Sequence, residues 1–287
     1  MITIWQEARN LLHMTQEELA SSVHTTAVTV SRWENGKSIP NKSMQSTLYQ
    51  YCKERGISLY ASTLQRIKAE EKALILPSER ILLYHGSKSG ITGDIKPCSR
   101  EQCDFGKGFY MGTVPQQPLA LVCDFPKAKF YLVSVDKTDL KTVSVEPDLD
   151  WALLISYYRG YMKPDSPLYS KYKAFTNNAD LIFGCIANDR MYMVMEQFFG
   201  NTITDAALIH CLSALDLGQQ YTAVTQKACN AIKIEKEISI SFFEWQFIRD
   251  ESSANREHGK NITSGIARQY RREGRYYDEI TGGDADA

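Results

Sequence analysis

His85, Gly86 and Ser87 follow the apolar run Ile81-Leu82-Leu83-Tyr84, and further on Gly106, Lys107 and Gly108 precede the aromatic pair Phe109-Tyr110. The first run has the length and composition of a buried strand. Its end brings an imidazole and a side-chain-free backbone to one strand mouth, where a ligand can approach the chain closely. The second stretch repeats the device, with two glycines around a lysine ahead of two rings. Taken alone, His85 and Tyr110 also fit a satisfied core pair, and a glycine pair by itself is a weak signal.

Elements able to position these residues are readable along the chain. Pro115 to Asp124 predicts a short helix, and Lys129 to Val135 a strand. From Trp151 to Tyr161 a helix carries Trp151, Leu154, Ile155 and Tyr158 on one face, a core pattern. Ala179 to Asp189 is an apolar strand with charged ends, followed by helices at about 190–199 and 203–216. Further strands are expected at Gln220–Thr225 and from about Lys233 to Ser241, with Phe242, Phe243 and Trp245 closing the core. After Arg249 the composition turns polar, which predicts a partly disordered tail over 250–287. Within it, the arginines and tyrosines from Arg268 onward fit either base stacking or a solvated amphipathic segment.

The N-terminus carries a second signal. In Met14-Thr15-Gln16-Glu17-Glu18-Leu19, Thr15 caps a helix, Glu18 reaches back, and Met14 can pack on Leu19. That helix should run to Ser22, turn through Val23-His24-Thr25, and be followed by a second from Thr26 to Glu34, closed by Asn35-Gly36. Pro40 precedes a third helix with Met44, Leu48 and Tyr51 on one face, ending at Gly56. The runs Thr15 to Ala20 and Val30 to Lys37 resemble the repressor-type helix-turn-helix family. The resemblance implies an all-α DNA-binding domain over residues 1–60, with Leu19, Val23, Val30 and Trp33 in its core. Thr26, Ala27, Thr29 and Arg32 would face base edges, and Gln16 and Lys37 would meet phosphates. Six Lys plus Arg against five Asp plus Glu give these residues a charge of only +1, so DNA affinity should depend on a homodimer. A protein-interaction module is the other reading of the same helices. Residues 61–79, without glycine and stopped at Pro77, predict a stiff helical connector.

Composition bounds the rest. With 287 residues, 43% of them hydrophobic, two domains are expected, and a formal charge of −1 argues against a bulk polyanion binder. No apolar run approaches membrane-spanning length and the first residues lack a secretory pattern, which predicts a cytoplasmic protein with no membrane partner. The seven cysteines, at 52, 98, 103, 123, 185, 211 and 229, form no CxxC pair. They are expected reduced and mostly buried, and Cys98 with Cys103 supplies too few ligands for a metal site.

His-Gly-Ser followed by Asp-Phe-Gly-Lys-Gly-Phe-Tyr resembles the ADP-ribosyltransferase fold, in the branch shared by poly-ADP-ribose polymerases and diphtheria toxin. The resemblance covers roughly residues 80–235. It implies a mixed α+β domain over 80–249 built on a split β-sheet, with NAD as substrate and no metal. His85, Tyr110 and Gln220 would be the catalytic set, and His85, Gly86, Ser87, Gly106, Gly108 and Tyr110 would bind NAD. The matching strand of the polymerases opens with a glutamate, where this chain has Gln220. Pro118 and Leu121 stand where those polymerases carry a serine and a tyrosine. Asn188 and Asp189 either cap the following helix or line the acceptor side of the cleft. The implied function is mono-ADP-ribosylation of a macromolecular acceptor, protein or nucleic acid, by a toxin or defence effector with a neutralising antitoxin. The missing glutamate keeps open a catalytically inactive, NAD-sensing transcriptional regulator.

Overall fold

Thr3, Thr15, Thr26 and Asn41 each stand in extended backbone and accept a bond from the amide three residues on. These caps start the first four helices of the computed structural model, which describes residues 2–175, 177–187, 191–215 and 217–282. They are α1 (Ile4–Leu11), α2 (Gln16–Ser22), α3 (Ala27–Glu34) and α4 (Lys42–Glu54). The Thr15–Glu18 capping box forms as expected. Helix α1 is an addition to the sequence reading, and it brings Trp5 and Ala8 into the core with Leu19, Val30 and Trp33. On α4 the buried face is Gln45, Leu48, Tyr49 and Cys52, rotated from the predicted Met44, Leu48 and Tyr51. Next comes α5 (Tyr60–Lys72), which is more than a connector because it buries Thr63 and Ile67.

The remaining elements are β1 (Arg80–Ser87), β2 (Phe109–Gly112), α6 (Gln116–Val122), β3 (Lys129–Asp136), β4 (Thr142–Val145), α7 (Leu149–Arg159), α8 (Tyr169–Phe175), β5 (Leu181–Cys185), α9 (Tyr192–Phe199), α10 (Asp205–Ala214), β6 (Gln219–Ala223), α11 (Gln226–Asn230), β7 (Ile232–Ile238), α12 (Phe242–Gln269) and α13 (Tyr277–Thr281). The strands join in the order β4-β5-β6-β2-β1-β3-β7. Among the described residues only β4 and β5 pair in parallel. The fold is therefore a helical N-terminus joined to a mixed α+β domain. One hydrogen-bonded sheet stands where two separated halves were expected, but its centre is thin. Strand β1 meets β3 over its whole length, from Arg80↔Asp136 to Ser87↔Lys129, and meets β2 in register only at Tyr84↔Gly112.

Over residues 250–282 the tail expected to be partly disordered is mostly helix, while 283–287 lie outside the described residues. A second capping box, Ser241 with Glu244, starts α12, which runs for 28 residues. Phe243 and Phe247 complete the core around Trp5 and Tyr49, while Trp245 and Ile248 pack under the sheet. Beyond Arg249 its buried positions are Ser252, Gly259 and Thr263, small residues that allow close helix approach and leave the composition polar. The run after Arg268 is likewise used by the fold: Tyr270 stacks on His210 at 3.7 Å, and the buried Tyr277 donates its hydroxyl to Ser156 Oγ at 2.9 Å. Among the described residues no helix is long and apolar enough to cross a membrane, and no cluster of His, Cys, Asp or Glu suits a metal ion.

Candidate functional site

The thin seam between β1 and β2 holds His85. Its Nδ1 lies 2.8 Å from the Tyr110 carbonyl oxygen, and since a carbonyl only accepts, Nδ1 carries the proton. The ring lies on Phe109, centroids 4.1 Å apart and 20° from parallel. Burial pushes the imidazole pKa down to about 4, so it is neutral near pH 7 with Nε2 as an acceptor. Tyr110 is fixed by its hydroxyl, which donates to Gly106 O at 2.7 Å and accepts from the Phe105 amide at 3.0 Å. Burial, with Asp104 nearby, raises its pKa.

Register separates the predicted triad. Residues directly opposed in an antiparallel ladder project to one face, and neighbours alternate. Tyr84 opposes Gly112, Gly112 opposes Gln220, and Tyr110 opposes Thr222, which puts Tyr110 and Gln220 together on one face. His85 projects to the other, where it meets Phe109 and Tyr131.

Gln220 is buried, and its amide donates to Asp104 Oδ2 at 3.2 Å and to the Cys185 carbonyl at 3.4 Å. Asp104 also pairs with Arg159 Nη2 at 2.7 Å and accepts from the Ala187 amide at 3.0 Å. Arg159 Nη1 is buried without a partner among the described residues. The carboxylate that the Gln220 position lacks is thus present beside it, supplied by a residue 116 positions away in sequence. Asp104 stands in the glycine motif without an expected role, and an acid between Cys103 and Phe105, two residues before Gly106, is the signal for it in the sequence. Asn188 and Asp189 lie outside the described residues.

The glycines of the motif serve the fold. A Cβ on Gly86 would meet the Pro118 carbonyl oxygen at 2.5 Å, so the glycine lets α6 rest on β1. At Gly108 it would meet Thr222 Cγ2 at 2.4 Å. Gly106 has φ +71° and lies against the Tyr158 ring. Ser87 closes a turn, its hydroxyl donating to Gly90 O and accepting from Gly90 N.

On the helix-turn-helix, Thr26 is the N-cap of α3 and its hydroxyl bonds that of Thr29 at 2.9 Å. Arg32 and Lys37 are exposed, while Ala27 and Thr29 are half-buried. Val28, which the predicted set omits, is 64% exposed and one turn before the exposed Arg32, so the outward stripe of α3 includes it. Gln16, expected on phosphate, donates its amide to Glu34 Oε2 at 2.7 Å. Glu34 also holds Arg9 at 2.5 Å.

A cavity of about 910 Å³ opens elsewhere, between α6, the adjoining ends of β2 and β6, the start of α9, and α12. None of His85, Tyr110 and Gln220 lines it.

Comparison with known proteins agrees with the two-part architecture. A helix-turn-helix family model matches residues 6–44. No curated protein and no solved structure matches the chain. The model of the family described as protein of unknown function (DUF3990) matches residues 81–234, from β1 into β7 and across the seam. That match spans more than half of the sequence, and the chain belongs to this family, with a helix-turn-helix at its N-terminus.

Proposed function

We propose that the chain is a DNA-binding protein whose sheet domain transfers a single ADP-ribose from NAD to a macromolecular acceptor. The seam carries this reading. Past Tyr84↔Gly112 the backbone of residues 85–87 has no register partner on β2, an edge suited to bonding a carboxamide. His85, with its proton fixed on Nδ1, offers Nε2 to a ribose hydroxyl. Cleavage of the nicotinamide bond builds an oxocarbenium-like ribose that needs nearby negative potential. Gln220 contributes a dipole and Asp104 a charge, already matched by Arg159, so slow single transfer fits better than chain building. Entry of NAD along β1 requires α6 to lift, because Pro118 lies on Gly86.

A second reading, an NAD-responsive transcriptional regulator without turnover, is favoured by one observation: His85 and Gln220 lie on opposite faces of the sheet. The deciding experiment incubates the full chain with adenine-labelled NAD and bacterial lysate, and follows nicotinamide release, label on macromolecules, and NAD binding by calorimetry. Release with labelled acceptor supports transfer, and Gln220→Ala should then slow release by about 10²–10³-fold. Binding without release selects the regulator. A folded chain that binds no NAD at about 1 mM, a weak-affinity limit, overturns both.

A further inference from the structure

Val28 is the second residue of α3, whose buried face is made by Val30, Trp33 and Glu34. An isolated apolar side chain on a surface needs no explanation, and its 64% exposure alone carries nothing. Its position does. Helix α3 is the second helix of the segment matched by the helix-turn-helix family model, and the first residues of such a helix meet base edges in the major groove. The polar side chains around it are engaged by the fold. Thr26 Oγ1 lies 2.9 Å from Thr29 Oγ1 and also caps the Thr29 amide, while Gln16 donates to Glu34. What remains on the outer face of α3 is an apolar side chain and, one turn on, the exposed Arg32.

A valine in a helix keeps one side-chain rotamer, so its methyl groups form a fixed apolar surface that loses little freedom when it is covered. It has no atom that donates or accepts a hydrogen bond. Among the groups that bases present in the major groove, the one suited to such a surface is the methyl on C5 of thymine. Cytosine methylated at C5 carries the same group in the same place. Placing either methyl on Val28 removes two apolar surfaces from water at once.

We infer that Val28 is a specificity-determining residue that reads a 5-methylpyrimidine, thymine or 5-methylcytosine, in the major groove. This rests on the DNA-binding reading of the N-terminal helices. Arg32 lies about 6 Å further along the helix, against about 3.4 Å between base pairs, so the guanine that suits its guanidinium falls within about two base pairs of the methyl. DNA binding by this chain is therefore sensitive to cytosine methylation at the position Val28 covers.

The test begins with sites selected from a random DNA library by the full chain. In the best site each thymine is replaced in turn by deoxyuridine, and each cytosine by 5-methylcytosine. Deoxyuridine at one position should weaken binding by about threefold to tenfold, and 5-methylcytosine there should bind more tightly than cytosine by a similar factor. Val28→Ala should abolish both ratios; the side chain is exposed, and thermal melts check that the variant folds. Lys37→Ala, at an exposed position expected to meet phosphate, should weaken all these DNAs together and leave the ratios intact. A selective site indifferent to the methyl at every pyrimidine overturns the inference, as does a methyl effect that survives in Val28→Ala, which would act through DNA shape. Loss of the ratios in Lys37→Ala also overturns it. Enrichment of no site at all overturns the DNA-binding reading itself, a result distinct from these.

Discussion

Two buried carboxylates, one in each region, are built alike and placed differently. Glu34 holds Arg9 at 2.5 Å and the Gln16 amide at 2.7 Å; Asp104 holds Arg159 at 2.7 Å and the Gln220 amide at 3.2 Å. In both, the glutamine is one that motif reading directs at a partner outside the chain. A buried acid must gather donors, and a nearby amide is drawn in before any ligand arrives. The difference lies in what surrounds the pair. Around Glu34 the donors are half-buried and α3 keeps its outward stripe free, so the cluster supports a surface without belonging to it. Around Asp104 the cluster lies within the sheet domain beside Tyr110, and Arg159 Nη1 has no partner among the described residues.

Stability measurements sharpen that contrast. Arg159→Leu should cost about 3–5 kcal/mol in urea denaturation, because it strands a buried charge. Arg9→Leu should cost less, about 1–3 kcal/mol, since Gln16 remains on Glu34 and solvent is near. Equal costs would mean that the two clusters are energetically the same. Next in size, Gly108→Ala should destabilise by about 1–3 kcal/mol, as the new methyl meets Thr222 and the Ala223 carbonyl. Gly218→Ala should stay within about 0.5 kcal/mol, because the group in its way is the flexible end of Gln117.

A pH dependence comes from His85, a residue with no counterpart in the helical region. Its folded pKa, about 4, lies below the ordinary 6.5. The unfolded chain therefore takes up a proton first, and stability is lost as pH falls from 6.5 toward 4, by about 1 kcal/mol per pH unit. His85→Gln should flatten that slope in urea midpoints taken across this window. An unchanged slope would place the titrating group elsewhere.

What the sequence discloses follows how local the signal is. Thr15, Glu18, Thr26 and Asn35 act within four residues, so α2 and α3 are legible from them. Strand β5 and the run at β1 are legible from apolar continuity. Helix α12 escapes because its later buried stripe is Ser252, Gly259 and Thr263, which hydropathy scores as surface. Asp104 escapes because its partners, Arg159, Ala187 and Gln220, are distant in the chain and meet only when the sheet forms. His85 is legible as a special residue at a strand end, but the face it takes depends on a register that only the pairing with β2 and β3 sets.

The placement of Phe243 and Phe247 has a consequence for biosynthesis. They close a core that begins at Trp5, so the N-terminal helices leave the ribosome without their lid. At about 5–20 residues per second, roughly 10–40 s separate the emergence of α4 from that of Phe247. In that interval the sheet strands, all encoded between them, are made. The helix-turn-helix unit is translated before the sheet domain and finished after it.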